Sequence, residues 1–145
     1  MTDPIREAVA ELASRVELSD VRYHAIVGRQ KEPPSDAEEA DQSLQVMIGS
    51  HETSFSIRCR VEFEAPDATY EVDASIHYSA EEPLEVDETV LRGFAEHIGI
   101  LALYPYLRSA VHDLSSRLGV GRALMPIVRA GTLQLDDPEI VSTEN

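Results

Sequence analysis

The side chains that could do chemistry in this 145-residue sequence are five histidines, one cysteine and 27 acidic residues. Their spacing argues against most of that chemistry. His24, His51, His77, His97 and His112 fall on different expected elements, and none has metal-ligand spacing to another. Cys59 has no second cysteine to bridge. It sits in a run of alternating apolar residues, where a thiol acts as a small hydrophobe with little thiolate character. Asp87 and Glu88 beside Glu96 could suggest paired carboxylates, but a helix start explains the first two and an exposed helical face the third. Gly119-Val120-Gly121 follows an expected helix instead of opening one, which makes it a helix stop and not a phosphate cradle. There is no HExxH, CxxC, Walker-type glycine loop or GxGxxG opening a helix after a strand. The expectation is a protein without catalytic residues, metal or cofactor, and not an enzyme.

The elements that position these residues centre on the stretch 87–128. Asp87 is the expected N-cap of a helix carrying Val90, Leu91, Phe94 and Ile98 at helical spacing. A second helical piece is expected from Pro105 to Leu118, with proline at its first position and Gly119 as its stop. Leu103, Tyr104, Leu107, Ala110, Val111, Leu114 and Leu118 share one face of it. A residue before proline avoids helical dihedrals, so Tyr104 is expected at a kink between the two pieces.

Upstream, Thr2 or Asp3 caps a short N-terminal helix with Ile5, Ala8, Val9, Leu12 and Val16 on its stripe. A strand then begins near Glu17, with Val21, Tyr23, Ala25 and Val27 on one side and a bulge at Ser19 and Asp20. An acidic loop over 28–41 contains two consecutive prolines. Leu44, Val46 and Ile48 mark a second strand. The clearest pattern follows, a hairpin around Ala65–Ala68 that sets Phe63 against Tyr70, Val61 against Val72, Cys59 against Ala74, Ile57 against Ile76 and Phe55 against Tyr78. On its outer face Arg60 meets Asp73 favourably, but Glu62 meets Glu71. The expected class is α+β, a four-stranded antiparallel sheet with a long kinked helix on one face, in a single domain over 1–145. Residues 136–145 are expected to form a disordered tail.

Twelve basic against 27 acidic residues give a formal net charge of −15, which repels phosphate backbones and anionic lipid. Nucleic acid and membrane insertion are therefore not expected as partners. The single cysteine and the lack of an apolar N-terminal run suggest a reducing, cytoplasmic setting.

At GILALYPYLRSAVHDLSSRLGVGRALMPIV the sequence resembles the SecB family of export chaperones. The matching positions are Tyr104, Pro105, Tyr106, Leu107 and Arg108, then Leu114, Arg117 and Met125-Pro126-Ile127. The LALYPYLR form looks still more like the SecB-like chaperones found with toxin–antitoxin systems in actinobacteria. The resemblance implies an ATP-independent holdase, assembled as a homotetramer (a dimer of dimers), whose apolar grooves bind non-native clients. Partners would be client polypeptides, an antitoxin or the translocase ATPase. Leu101, Leu103, Tyr104, Tyr106 and Leu107, around the expected kink, are the candidates for client binding, with core packing the alternative for Leu107, and Val111, Leu114 and Leu118 form an oligomer or core stripe. Departures from the SecB pattern lie after the proline stretch, where Val128 and Arg129 replace the usual asparagine–phenylalanine pair and Gly131 and Pro138 discourage a further helix. The alternative is an adaptor or structural subunit of the same fold that binds one folded partner.

Overall fold

A computed structural model describes residues 3–31, 41–121, 123, 125 and 139–142. The elements run α1 (Pro4–Arg15), β1 (Glu17–Gln30), β2 (Asp41–Ser50), β3 (Ser54–Glu64), β4 (Ala68–Ser79), α2 (Glu88–Phe94), a π-helical turn (Ala95–Gly99), α3 (Ile100–Leu118) and β5 (Glu139–Ser142). The sheet order is β1-β4-β3-β2-β5; the first four strands are antiparallel neighbours, and β5 is parallel to β2.

The β3–β4 hairpin has the register expected from its alternation, Phe55↔Tyr78 through Phe63↔Tyr70. Ala65 N–H donates to the Ala68 carbonyl at 2.9 Å and closes the turn. Both apolar rows are buried on the helix-facing side, and Phe94 from α2 sits edge-on to Phe55 and Tyr78, with ring centroids 5.0 and 4.9 Å away. The Glu62–Glu71 juxtaposition is resolved by Arg60, whose guanidinium lies 3.2 Å from Glu62 and 2.6 Å from Glu71. Asp73 is instead gripped by Arg58 through two hydrogen bonds of 2.9 and 2.8 Å.

Other expectations are corrected. Residues 28–30 of the expected acidic loop belong to β1 and Asp41 opens β2, while 32–40 lie outside the described residues. The expected tail contains β5 at Glu139–Ser142, where Ile140 and Val141 are β-formers, paired with an edge of β2 that has no other strand partner among the described residues. The rest of 136–145 lies outside the described residues. Pro105 does not start a helix; α3 runs through it from Ile100 to Leu118. Proline inside a helix costs about 3 kcal/mol. Burial of Leu103, Tyr104 and Leu107 around it, at about 1.5–3 kcal/mol each, outweighs that cost.

The departure from α geometry falls upstream, in the π turn, where the Ile100 N–H reaches back to the Ala95 carbonyl. Here the helix presses on the sheet: a Cβ on Gly99 would overlap the Ile57 Cδ1 methyl. Gly119, at φ 70°, ends α3 in the left-handed region as expected.

In β1 the expected bulge at Ser19 is present, and a second register shift occurs at His24. Val21 and Tyr23 face the helices as expected, opposite Ile76 and Ala74. Beyond His24 the phase changes, so Ile26 and Gly28 face the helices, and Ala25 and Val27 join Asp73 and Glu71 on the outer side.

Candidate functional site

The residues named for chemistry are divided among separate structural tasks. Cys59 is fully buried, and burial, with the charge of Asp73, pushes its thiol up to about 12. His97 Nδ1 donates to the Gly93 carbonyl at 2.9 Å within the helix. Asp87 caps α2 through its backbone carbonyl, which accepts from Val90 and Leu91. His24 and His77 do converge: Ser75 Oγ lies 2.8 Å from Nε2 of each. Burial, and then the charge of Arg22, lower the His77 pKa. Among the described residues no three or more His, Cys, Asp or Glu side chains form a group able to hold a metal ion. No helix among them is long and apolar enough to cross a membrane.

The apolar surface is concentrated where β1 meets α3. Tyr23 and Ile26 on the strand are 43% and 48% exposed, and Tyr106 on the helix is 43% exposed. The Tyr23 hydroxyl donates to the Tyr106 carbonyl at 3.2 Å and ties the two sides together. Burial, with the Tyr106 phenol second, raises the Tyr23 pKa. Leu18 continues the strand row at 51% exposure. At the other end Leu114 and Leu118 close over Gly28, where the missing side chain lets the helix approach. Gln30 there donates to the Leu118 carbonyl at 2.6 Å.

Of the candidate client residues, Tyr106 is exposed and Leu101 half-buried, while Leu103, Tyr104 and Leu107 are buried beneath them. Val111 is fully buried, and Leu114 and Leu118 are half-buried at the β1 side. Tyr23 lies on the side that alternation assigns it, whereas the shift at His24 turns Ile26 to that same side, against the expected row of Val21, Tyr23, Ala25 and Val27. The apolar character of Tyr23 and Ile26 three residues apart, out of step with strict alternation, was the available signal.

Four antiparallel strands, a long helix across one face and a short N-terminal helix make up the SecB-like fold. The solved structure of the Mycobacterium tuberculosis SecB-like chaperone Rv1957, in complex with a ChAD peptide from the Rv1956 HigA1 antitoxin, matches with a TM-score of 0.72 at 21% identity. The match covers 86% of this chain and 96% of that one. In sequence the chain is 37% identical to the SecB-like chaperone SmegB of Mycolicibacterium smegmatis over 134 residues, 92% of this chain and 90% of that protein. The chain belongs to the SecB-like chaperone family. No protein-family model matches it.

Proposed function

We propose that the chain is an ATP-independent holdase for non-native polypeptides, with an antitoxin segment as its foremost client. The observation that carries this reading is the exposed apolar strip of Tyr23, Ile26 and Tyr106 beside α3. Aromatic side chains of this kind each cover about 150–250 Å² and tolerate many partner sequences. The relationship to SmegB and the antitoxin peptide held by Rv1957 support the same reading. Action is by mass balance: holding the unfolded form lowers its free concentration, and no bond is made or broken.

Tyr106 and Leu101 are the accessible members of the client set, supported from below by Leu103, Tyr104 and Leu107. Assembly into a homotetramer belongs to this reading, with Val111, Leu114 and Leu118 holding the helix that shapes the groove, and so does a cytoplasmic setting. β1 ends the sheet, so its outer edge is open to a second copy among the described residues. An antitoxin is favoured over delivery to the translocase ATPase because Val128 and Arg129 stand where SecB proteins carry their asparagine–phenylalanine pair.

Light scattering tests the reading. Equimolar protein is expected to slow aggregation of an unrelated chemically unfolded client, and unchanged aggregation rejects it. Sedimentation velocity checks the tetramer.

A further inference from the structure

β5 is the parallel neighbour in a sheet whose other pairings are antiparallel. It covers β2 from Met47, opposite Glu139, to Ser50, opposite Ser142. The same edge continues through Asp41–Val46 without a strand partner among the described residues. An open edge presents unpaired N–H and C=O groups that an extended chain of almost any sequence can satisfy.

The helix-facing side of this open stretch suits such a chain. Leu44 and Val46 are only half-buried, although their β3 partners Val61 and Cys59 are fully buried. Gln42 sends its amide 3.4 Å to the Tyr104 hydroxyl, but its Oε1 is buried without a donor among the described residues. One turn along α3 from Tyr104, the Nε of Arg108 is buried without an acceptor among the described residues. A buried polar group left without a partner is unfavourable, so a chain that satisfies it gains on docking. An arriving polypeptide supplies donors and acceptors at regular intervals.

We propose that the outer edge of β2 is a docking edge for an extended client segment, and that β5 is its resident occupant, displaced when the client strand adds along Asp41–Ser50. This rests on the holdase reading and specifies how the client is held. Main-chain pairing provides affinity that ignores sequence, and the row of Leu44 and Val46 receives alternate apolar side chains. β5 is suited to yield, because it is four residues long and parallel pairing is slightly the weaker kind.

The test uses the full chain and a dye-labelled, reduced and carboxamidomethylated lysozyme as the unfolded probe. The double variant Ile140→Pro/Val141→Pro frees the edge, and is expected to bind the probe about threefold or more tightly than the parent, since a larger fraction is competent. Hydrogen exchange on the unaltered protein gives a readout that needs no variant: the probe should slow amides in 41–46 and speed those of Ile140–Ser142. Equal or weaker binding by the variant, or no protection at 41–46, overturns the docking edge, while continued binding by the parent leaves the holdase reading standing. Failure of both proteins to bind removes both.

Discussion

Tyr23 and Tyr106 meet across the gap between strand and helix, the phenol of one donating to the main-chain carbonyl of the other at 3.2 Å. Both rings remain 43% exposed. A pair that is fixed yet uncovered is a rigid apolar platform, and ordering it costs a client little. Tyr106→Asp is expected to weaken binding of an unfolded probe by about tenfold, with unchanged far-ultraviolet circular dichroism. Fluorescence anisotropy measures the first and a spectrum the second; a lost spectrum would make Tyr106 a core residue.

Leu103, one turn of chemistry removed from that surface, should behave oppositely. It has no exposed surface. Leu103→Ala is expected to lower stability by about 2–5 kcal/mol through the cavity it leaves, read from urea unfolding.

Gly99 lies where the π turn meets β3. The added methyl of Gly99→Ala would strike Ile57 and should cost about 1–3 kcal/mol. Ile57→Val removes the Cδ1 methyl that is struck. Combined with Gly99→Ala it should cost less than the two single changes summed, and strict additivity in urea midpoints would refute the contact.

Acid should destabilise the fold in two stages. The hydrogen bond from Arg58 holds the Asp73 carboxyl below its ordinary value near 3.8, with burial opposing it. Its contribution is present above that value and is lost as pH falls through the lower native one. Burial holds His77 below its ordinary 6.5, so the unfolded chain binds a proton that the native state refuses. That source of stability declines as pH drops below about 6.5. Urea midpoints should therefore fall from about pH 6.5 downward and again below about 4. His77→Gln should flatten the upper limb and Asp73→Asn the lower, and a parent profile level from neutrality to about pH 5 would contradict the assignment of His77.

With its thiol pushed up to about 12 and its side chain fully buried, Cys59 should be silent to thiol reagents at mildly alkaline pH in the native state. The urea-unfolded chain should react completely. Rapid labelling of native protein would refute the burial.

Much of this fold was legible in the sequence wherever one local rule acted alone. The β3–β4 hairpin has unbroken period-two alternation on both strands, so its register and both faces follow from residue type, but its ion pairs do not: Arg58 takes the Asp73 expected of Arg60, and Arg60 turns to Glu62 and Glu71. Gly119 was legible because only a left-handed stop explains glycine after a long apolar stripe. Pro105 departs from expectation because the rule for residues before proline is local, while Leu103, Tyr104 and Leu107 are buried in a helix packed on strands β1 and β4, far away in sequence. β5 escaped notice because four residues carry too little pattern to stand out. For the candidate site, Tyr106 follows from its place on the helix and Tyr23 from strand alternation, but Ile26 depends on the shift in phase at His24, which its spacing from Tyr23 signals only faintly.

That shift has a further implication. β1 carries two more residues than its partner's ladder uses, Ser19 and His24, and both reach toward the same place on β4. The Ser19 hydroxyl donates to the His77 carbonyl at 3.1 Å, and His24 reaches the Ser75 hydroxyl that His77 shares. They act as stitches instead of rungs. Excising either would leave every other residue of the strand turned to its present side, whereas inserting one residue elsewhere would invert all that follow and lift Gly28 out from under Leu114 and Leu118. Length in this strand is thus forgiving at two positions and unforgiving at the rest, which is where natural deletions in it should accumulate.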